Sequence, residues 1–458
     1  MQLWHCADKR MGYKTMITLL STGSNAHGQL GNNSLDDSHL FQPCSFTNHP
    51  PNSLPPDTSA VLSVVSGANH TLVLLEVVDQ LGLKKTELWG CGDGRAGQLG
   101  KKYREESLTG SSMATFRKIE LCLEENGLSG YSYRLISASW ETSYAVLSCS
   151  VKGDVVISMG SDEFGDLGIG GFIRTANIEK DFHVVKFENL STPSSIHNTL
   201  RVESITSGQR HTIVHLKVSE LPPLLVGWGT SRHGQLGQIA PKPPPFTSLP
   251  RIIALDDVAI SSALGIHHSL FLHASGQISA IGSNRKGQLQ LLPSKSVRKI
   301  GCTWNGSYAV VELNEGWNIY SSGSNSHGQL GLKVTTDPLN ADIPNSGVVH
   351  FPEILDSKST SIEIACGSEH ILVLSRHTNM EDCSVQQGLH QVSKLWGWGW
   401  NEHGNLGSGN TDDTILPLKI WSNEPGFVSY LKEVHEVIGI WAGAGTSWIS
   451  CLRNDHDT

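Results

Sequence analysis

The chain has 458 residues, a formal net charge of -9 and an apolar fraction of 38%, which suits a β-rich core and leaves no overall basic surface for nucleic acid. No stretch reaches the roughly 20 apolar residues of a membrane span, and the nine cysteines form no CxxC pair or metal-ligand spacing. Cys149, Cys366 and Cys451 lie in apolar runs, as small reduced hydrophobes in a reducing compartment.

In chain order, residues 1–15 have no apolar signal core and read as a short extension. An orphan strand, MITLLSTG from Met16, leads into the first of seven glycine segments. These are TGSNAHGQLG (from Thr22), CGDGRAGQLG (Cys91), MGSDEFGDLG (Met159), WGTSRHGQLG (Trp228), IGSNRKGQLQ (Ile281), SGSNSHGQLG (Ser322) and WGWNEHGNLG (Trp398). A second element alternates with them: SGANHTLVLL (Ser66), SASWETSYAVL (Ser137), TSGQRHTIVHL (Thr206), ALGIHHSLFL (Ala263), GCTWNGSYAVV (Gly301), ACGSEHILVL (Ala365) and WAGAGTSWISCL (Trp441). Seven alternations of two elements mean one closed repetitive architecture rather than several domains. Short apolar runs between glycine turns, without helical periodicity, predict antiparallel meanders of about four strands. The fold class is therefore all-β, a seven-bladed β-propeller. Loops rich in Pro, Ser and charge absorb the extra length at 32–60, 101–130, 171–200, 238–250, 332–360 and 375–393. The last second element has no strand after it, so pairing it with the orphan strand closes the seventh blade and removes two exposed edges. The expected division is 1–15 extension, 16–452 propeller and 453–458 tail.

The glycines read as turn residues with positive φ, since no GxxxxGK[ST] signature accompanies them. His70, His211, His268 and His370 share one column, one per repeat, which suits a structural histidine bonded within its blade better than a converging acid–base site. The HG histidines His27, His233, His327 and His403 read as turn residues. No nucleophile elbow or zinc-protease motif is present, so the chain is read as no enzyme, with no metal and no cofactor of its own.

Outliers within the columns mark the candidate site. The third position of the glycine segment is Ser24, Asp93, Ser161, Thr230, Ser283 and Ser324, but Trp400 in the last copy. Two residues before the histidine column stand Ala68, Gln209, Ile266, Ser368 and Ala444, but Trp140 and Trp304 in two copies. If the second element turns between the first and second strands of a blade, the glycine segment turns between the third and fourth. Meander parity then puts both on one face. Trp304 and Trp400 fall on adjacent blades with Glu369, Glu402 and His403 nearby, and Trp140 roughly across the ring. Large aromatics in small polar columns suggest partner anchors. Trp228, Trp396 and Trp398 fall within strands, as core.

The alternating GxNxxGQLG and CGxxHxxxL segments resemble the regulator-of-chromosome-condensation repeat, a seven-bladed propeller family. The family resemblance opens three function classes: guanine-nucleotide exchange, binding regulation of another protein, and tryptophan-based ultraviolet reception. The third calls for a fuller tryptophan column than two copies in seven. ACGSEHILVL, LWGWGWNEHGNLG, SASWETSYAV and GAGTSWISCL are similar to segments of the fungal alpha-tubulin suppressor (killer-toxin-insensitivity) propeller group. The first two are similar also to the animal secretion-regulating exchange-factor-like group. That resemblance implies a non-enzymatic heterodimer with the small CSL-type zinc/iron protein of diphthamide synthesis. It further implies a role with Elongator in tRNA wobble-uridine modification, in cytoplasm and nucleus. The alternative it implies is exchange on a small GTPase.

Overall fold

Each repeat offers two or three extended apolar runs separated by tight turns, and a chain of this kind satisfies its backbone by pairing neighbours in sequence. The computed structural model describes residues 15–110, 112–170, 180–187, 190, 200–218, 222–237, 244–290, 295–314, 316–333, 345–353, 360–378 and 391–454. Among these, all strand pairings are antiparallel and fall into seven sheets. The chain enters through β1 (Thr15–Gly23) and β2 (Ser38–Pro43). Blade one is β3–β6 (Thr58–Ser66, His70–Val78, Lys84–Gly92, Arg117–Lys118). Blade two is β7–β10 (Ser132–Ala138, Thr142–Ser148, Val155–Gly160, His183–Val185), and blade three is β11–β14 (Leu200–Ser207, His211–Val218, Leu224–Thr230, Phe246–Ile252). Blade four is β15–β17 (Ala259–Leu264, His268–His273, Ile278–Gly282). Blade five is β18–β21 (Val297–Cys302, Gly306–Leu313, Gly316–Gly323, Ser346–Val348), and blade six is β22–β25 (Thr360–Cys366, His370–Thr378, Gln391–Gly399, Thr414–Ser422).

The seventh blade is built from both ends of the chain. β26 (Val434–Ala442) and β27 (Thr446–Asn454) pair with β1 and β2 in the order β2-β1-β27-β26. The β1–β27 register runs without a break from Thr15↔Asn454 to Gly23↔Thr446. This is the closure expected from the orphan strand. Two expectations need correction. Blade four has three strands among the described residues, because its glycine segment is followed almost at once by β18. One helix, α1 (Lys101–Leu108), forms in the loop after the second glycine segment. It covers blade one with Tyr103, which is buried with its hydroxyl donating to the Gly92 carbonyl at 3.0 Å.

The second strand of every blade lies between neighbours on both sides and both faces. It therefore reads as a continuous apolar run rather than an alternating one. Leu72, Val73, Ile213, Val214, Leu270, Phe271, Val310, Leu372, Val373 and Ile449 are fully buried. Each such side chain contributes about 1.5–3 kcal/mol through burial. Trp228, Trp396 and Trp398 are fully buried as expected. Two of them also tie blades together: Trp228 Nε1 donates to the Asp166 carbonyl of blade two at 2.8 Å, and Trp398 Nε1 to the Gln329 carbonyl of blade five at 2.9 Å.

The histidine column is structural, but it joins blades rather than bonding within one. Nε2 of His70, His211, His268 and His370 meets the hydroxyl of Ser143, Ser269, Ser307 and Ser447 on the next blade at 2.9–3.1 Å. The Ser269 and Ser307 hydroxyls donate to the carbonyls of Gln235 and Gln288. A hydroxyl has one proton, so at these two positions the histidine must donate from Nε2. Burial holds all four imidazoles well below their ordinary range: His70, His268 and His370 at about 4, His211 at about 3.

Four of the glycine segments press against the following blade, through Gly28, Gly165, Gly328 and Gly404. Gly404 has φ +74, and a Cβ there would stand 2.4 Å from the His39 Cα in β2. Only glycine permits both that backbone and that approach.

Candidate functional face

The turns between first and second strands, and those between third and fourth, all lie on one face of the ring. The first set encircles the axis. Its backbone is linked blade to blade: Ala68 N donates to Trp140 O, Trp140 N to Gln209 O, Ile266 N to Trp304 O, Trp304 N to Ser368 O and Ser368 N to Gly443 O, at 2.7–3.1 Å. The axial well inside these turns has a volume of about 110 Å3 and draws its lining from all seven blades.

Trp140 and Trp304 stand three blades apart, as column parity requires, yet they are not separated by the ring. Their rings meet over the axial well with centroids 6.0 Å apart and planes at 51°. Both are half-buried. Large side chains projecting inward from opposite turns close a well too narrow to keep them apart. The sequence columns showed the two residues but not this meeting.

Trp400 lies further out, on blade six. Its ring packs edgewise against His403 of its own turn at 5.3 Å and against His327 of blade five at 6.3 Å. Each histidine is held by an aspartate of the following blade: His403 Nδ1 to Asp37 Oδ2 at 2.6 Å and His327 Nδ1 to Asp413 Oδ2 at 2.8 Å. These two are more than turn residues; they brace the indole. Glu402 is exposed on the same turn.

Glu369 is not an exposed contact. It is buried between blades, accepting from Asn305 Nδ2 at 2.8 Å and Gln329 Nε2 at 2.9 Å. Burial raises its pKa from the ordinary value, and these two donors oppose that rise. It fixes the junction of blades five and six beneath the tryptophans.

Sequence reasoning overlooked the cations of the same face. Arg210, Arg232, His233, His267, Arg285 and Lys286 all occupy turns of blades three and four. The His233 and His267 rings come within 4.2 Å of each other. A sign comparison along each turn column would have found this sector.

A larger cleft of about 520 Å3 lies on the outer flank of blade one, away from this face. Both lysines of its lining are paired within it, Lys118 to Glu87 at 2.5 Å and Lys85 to Asp79 at 3.2 Å. Among the described residues no cluster of three or more His, Cys, Asp or Glu has the placement to hold a metal ion.

Comparison with known proteins fits this architecture. Residues 318–374 and 393–449 match the regulator of chromosome condensation (RCC1) repeat. Each matched unit runs from the third strand of one blade into the second strand of the next, so the family repeat straddles blade boundaries. The chain is 23% identical to the mouse secretion-regulating guanine nucleotide exchange factor, over 98% of this chain and 87% of that protein. Among solved structures, Prp20p from Saccharomyces cerevisiae superposes with a TM-score of 0.65 at 20% identity, covering 96% of this chain and 92% of that one. Human WBSCR16 superposes with a TM-score of 0.63 at 17% identity, covering 94% and 99%. With RCC1 repeats matched at residues 318–374 and 393–449 and a seven-bladed ring closed by β1, the chain carries RCC1 repeats and has the fold of the RCC1-like β-propellers.

Proposed function

We propose that this chain is a non-catalytic regulatory propeller that captures a protein partner on the face bearing the turns. The observation that carries the reading is the half-buried Trp140–Trp304 pair at the centre of that face. Aromatic side chains that are neither fully buried nor isolated supply the large contact area on which binding energy concentrates. Trp400, braced by His327 and His403, adds a third anchor on blade six.

A small GTPase is the partner that the relatives favour, because the mouse protein matched over nearly the whole chain is named as an exchange factor. Exchange needs no chemistry from this chain. It requires tighter binding to the nucleotide-free GTPase than to the loaded one, so that binding shifts the population toward release. Rigid anchors on a closed ring suit that task.

A second reading is a heterodimer with the CSL-type zinc/iron protein, serving diphthamide synthesis and Elongator-dependent tRNA modification in cytoplasm and nucleus. It is supported by the blade-six segments ACGSEHILVL and LWGWGWNEHGNLG, which carry Glu369, Trp400, Glu402 and His403. There the metal belongs to the partner and this chain contributes shape.

Release of labelled GDP from a set of purified small GTPases tests the first reading. Acceleration by the wild type, lost in Trp140→Ala/Trp304→Ala, supports it. No acceleration, together with stoichiometric binding of the CSL-type protein, moves the function to the second reading. Failure of both removes the face as a partner site for either.

A further inference from the structure

The charges of the turn-bearing face are sorted by blade. The four turns of blades three and four read SGQRH, GTSRHGQLG, LGIHH and IGSNRKGQLQ, with three arginines, one lysine, and no acid. This positive sector stands in a chain of net charge -9. Arg232, His267, Arg285 and Lys286 are exposed. Their turns come together at the blade boundary, where the His233 and His267 rings lie 4.2 Å apart. Burial first, then the positive charges of Arg285 and Arg232, depresses the His233 pKa, so both guanidinium groups lie close to the pair. Arg210 marks the border toward blade two. It stacks on the Phe164 ring at 4.4 Å and reaches Glu163 at 3.4 Å.

The sector is continuous with the tryptophan pair. Ile266, which precedes His267, donates its backbone N–H to the Trp304 carbonyl at 3.0 Å. A ligand seated on Trp304 therefore has the cations within reach. The same face carries acids on both sides of the sector: Glu141 and Glu163 on blade two, Glu402 and Asp413 on blade six, and Asp37 on blade seven. An extended polyanion crossing the ring would meet these and be repelled. A short acidic segment of a folded partner would not.

We propose that the basic sector of blades three and four docks an acidic segment of a protein partner whose apolar part rests on Trp140 and Trp304. This rests on the reading of the turn-bearing face as a partner site and names the chemistry of the contact. Exposed arginines offer bidentate geometry to carboxylates and speed encounter through long-range attraction.

The probe is a short fluorescein-labelled peptide of glutamates interrupted by leucine, followed by anisotropy at low ionic strength. Arg232→Glu/Arg285→Glu should weaken its binding by about tenfold or more, and added salt should weaken the wild-type complex in parallel. Lys152→Glu, in the β8–β9 turn on the opposite face, should leave binding unchanged. Because both arginines are exposed, the double variant should melt like the wild type. Should it unfold, Arg285→Gln/Lys286→Gln provides the same comparison. Equal binding by the variants, or equal loss in Lys152→Glu, overturns the proposal. Competition by single-stranded RNA as strong as that by the peptide also overturns it, in favour of a nucleic-acid site. The functional reading fails separately. Peptide bound at the sector without any GTPase or CSL-type partner leaves the sector standing alone, whereas nucleotide exchange indifferent to Arg232→Glu/Arg285→Glu leaves exchange standing and removes the sector.

Discussion

Acidification should open this ring at the blade junctions, because four of the inter-blade bonds depend on neutral histidine. His70, His268 and His370 are held at about 4 and His211 at about 3, against an ordinary value of 6.5. A lowered folded pKa means that the unfolded chain takes up the proton first. Each of the four therefore removes stability as pH falls from 6.5 toward 4, by about 1.4 kcal/mol per pH unit. Asp166 works in the opposite direction: burial pushes its carboxyl up to about 7, so the folded chain takes that proton first. For these five groups together the net is about three protons, or about 4 kcal/mol per pH unit, between pH 6.5 and the carboxylate range. Against a stability of about 6–10 kcal/mol, within the usual range for a domain, unfolding should be half complete between pH ~5 and pH ~4. Urea melts followed by tryptophan fluorescence across this range measure the slope directly. His211→Gln should flatten it by about one proton and Asp166→Asn should steepen it by one. At pH ~8, Asp166→Asn should also raise stability by about 2–4 kcal/mol, since a buried carboxylate no longer has to be ionised. Stability that is flat or rising on acidification between pH ~7 and ~5 would refute the argument.

Removing residues 1–24 takes away β1, with buried Leu19 and Leu20 and its whole register with β27; a loss of about 5 kcal/mol and a melting point lower by about 5 °C are expected. A truncated chain that melts like the intact one would show that the ring closes without β1. Glu369→Ala leaves Asn305 and Gln329 without their acceptor and should cost about 2 kcal/mol in chemical denaturation. Trp400→Ala should cost about 2 kcal/mol of partner affinity while shifting the melting point little, because six sibling turns hold Ser, Thr or Asp at that position. Unchanged affinity in a titration would move the interface off blade six.

The seven paired segments, the antiparallel meanders and the joining of the two termini were all legible in the sequence. Each rests on local turn chemistry repeated seven times, and a repeated turn places its strand without reference to distant residues. Column parity likewise put Trp140, Trp304 and Trp400 on one face, since alternation of strand direction is topological. Partners across a blade boundary were not legible. The histidine column looked self-contained, yet its serines sit one blade further on. His403 looked like a turn residue, yet its aspartate, Asp37, comes from the other end of the chain. Glu369 stood among the candidate partner contacts near Trp400, yet Asn305 and Gln329 enclose it. Ring geometry decided the rest. Trp140 and Trp304 meet because opposite turns of a seven-bladed ring converge on a narrow axis, and the cations of blades three and four form one sector because neighbouring blades pack side by side. Repetition along the chain set the blades; closure in space, which brings residues from separate repeats together, set the site.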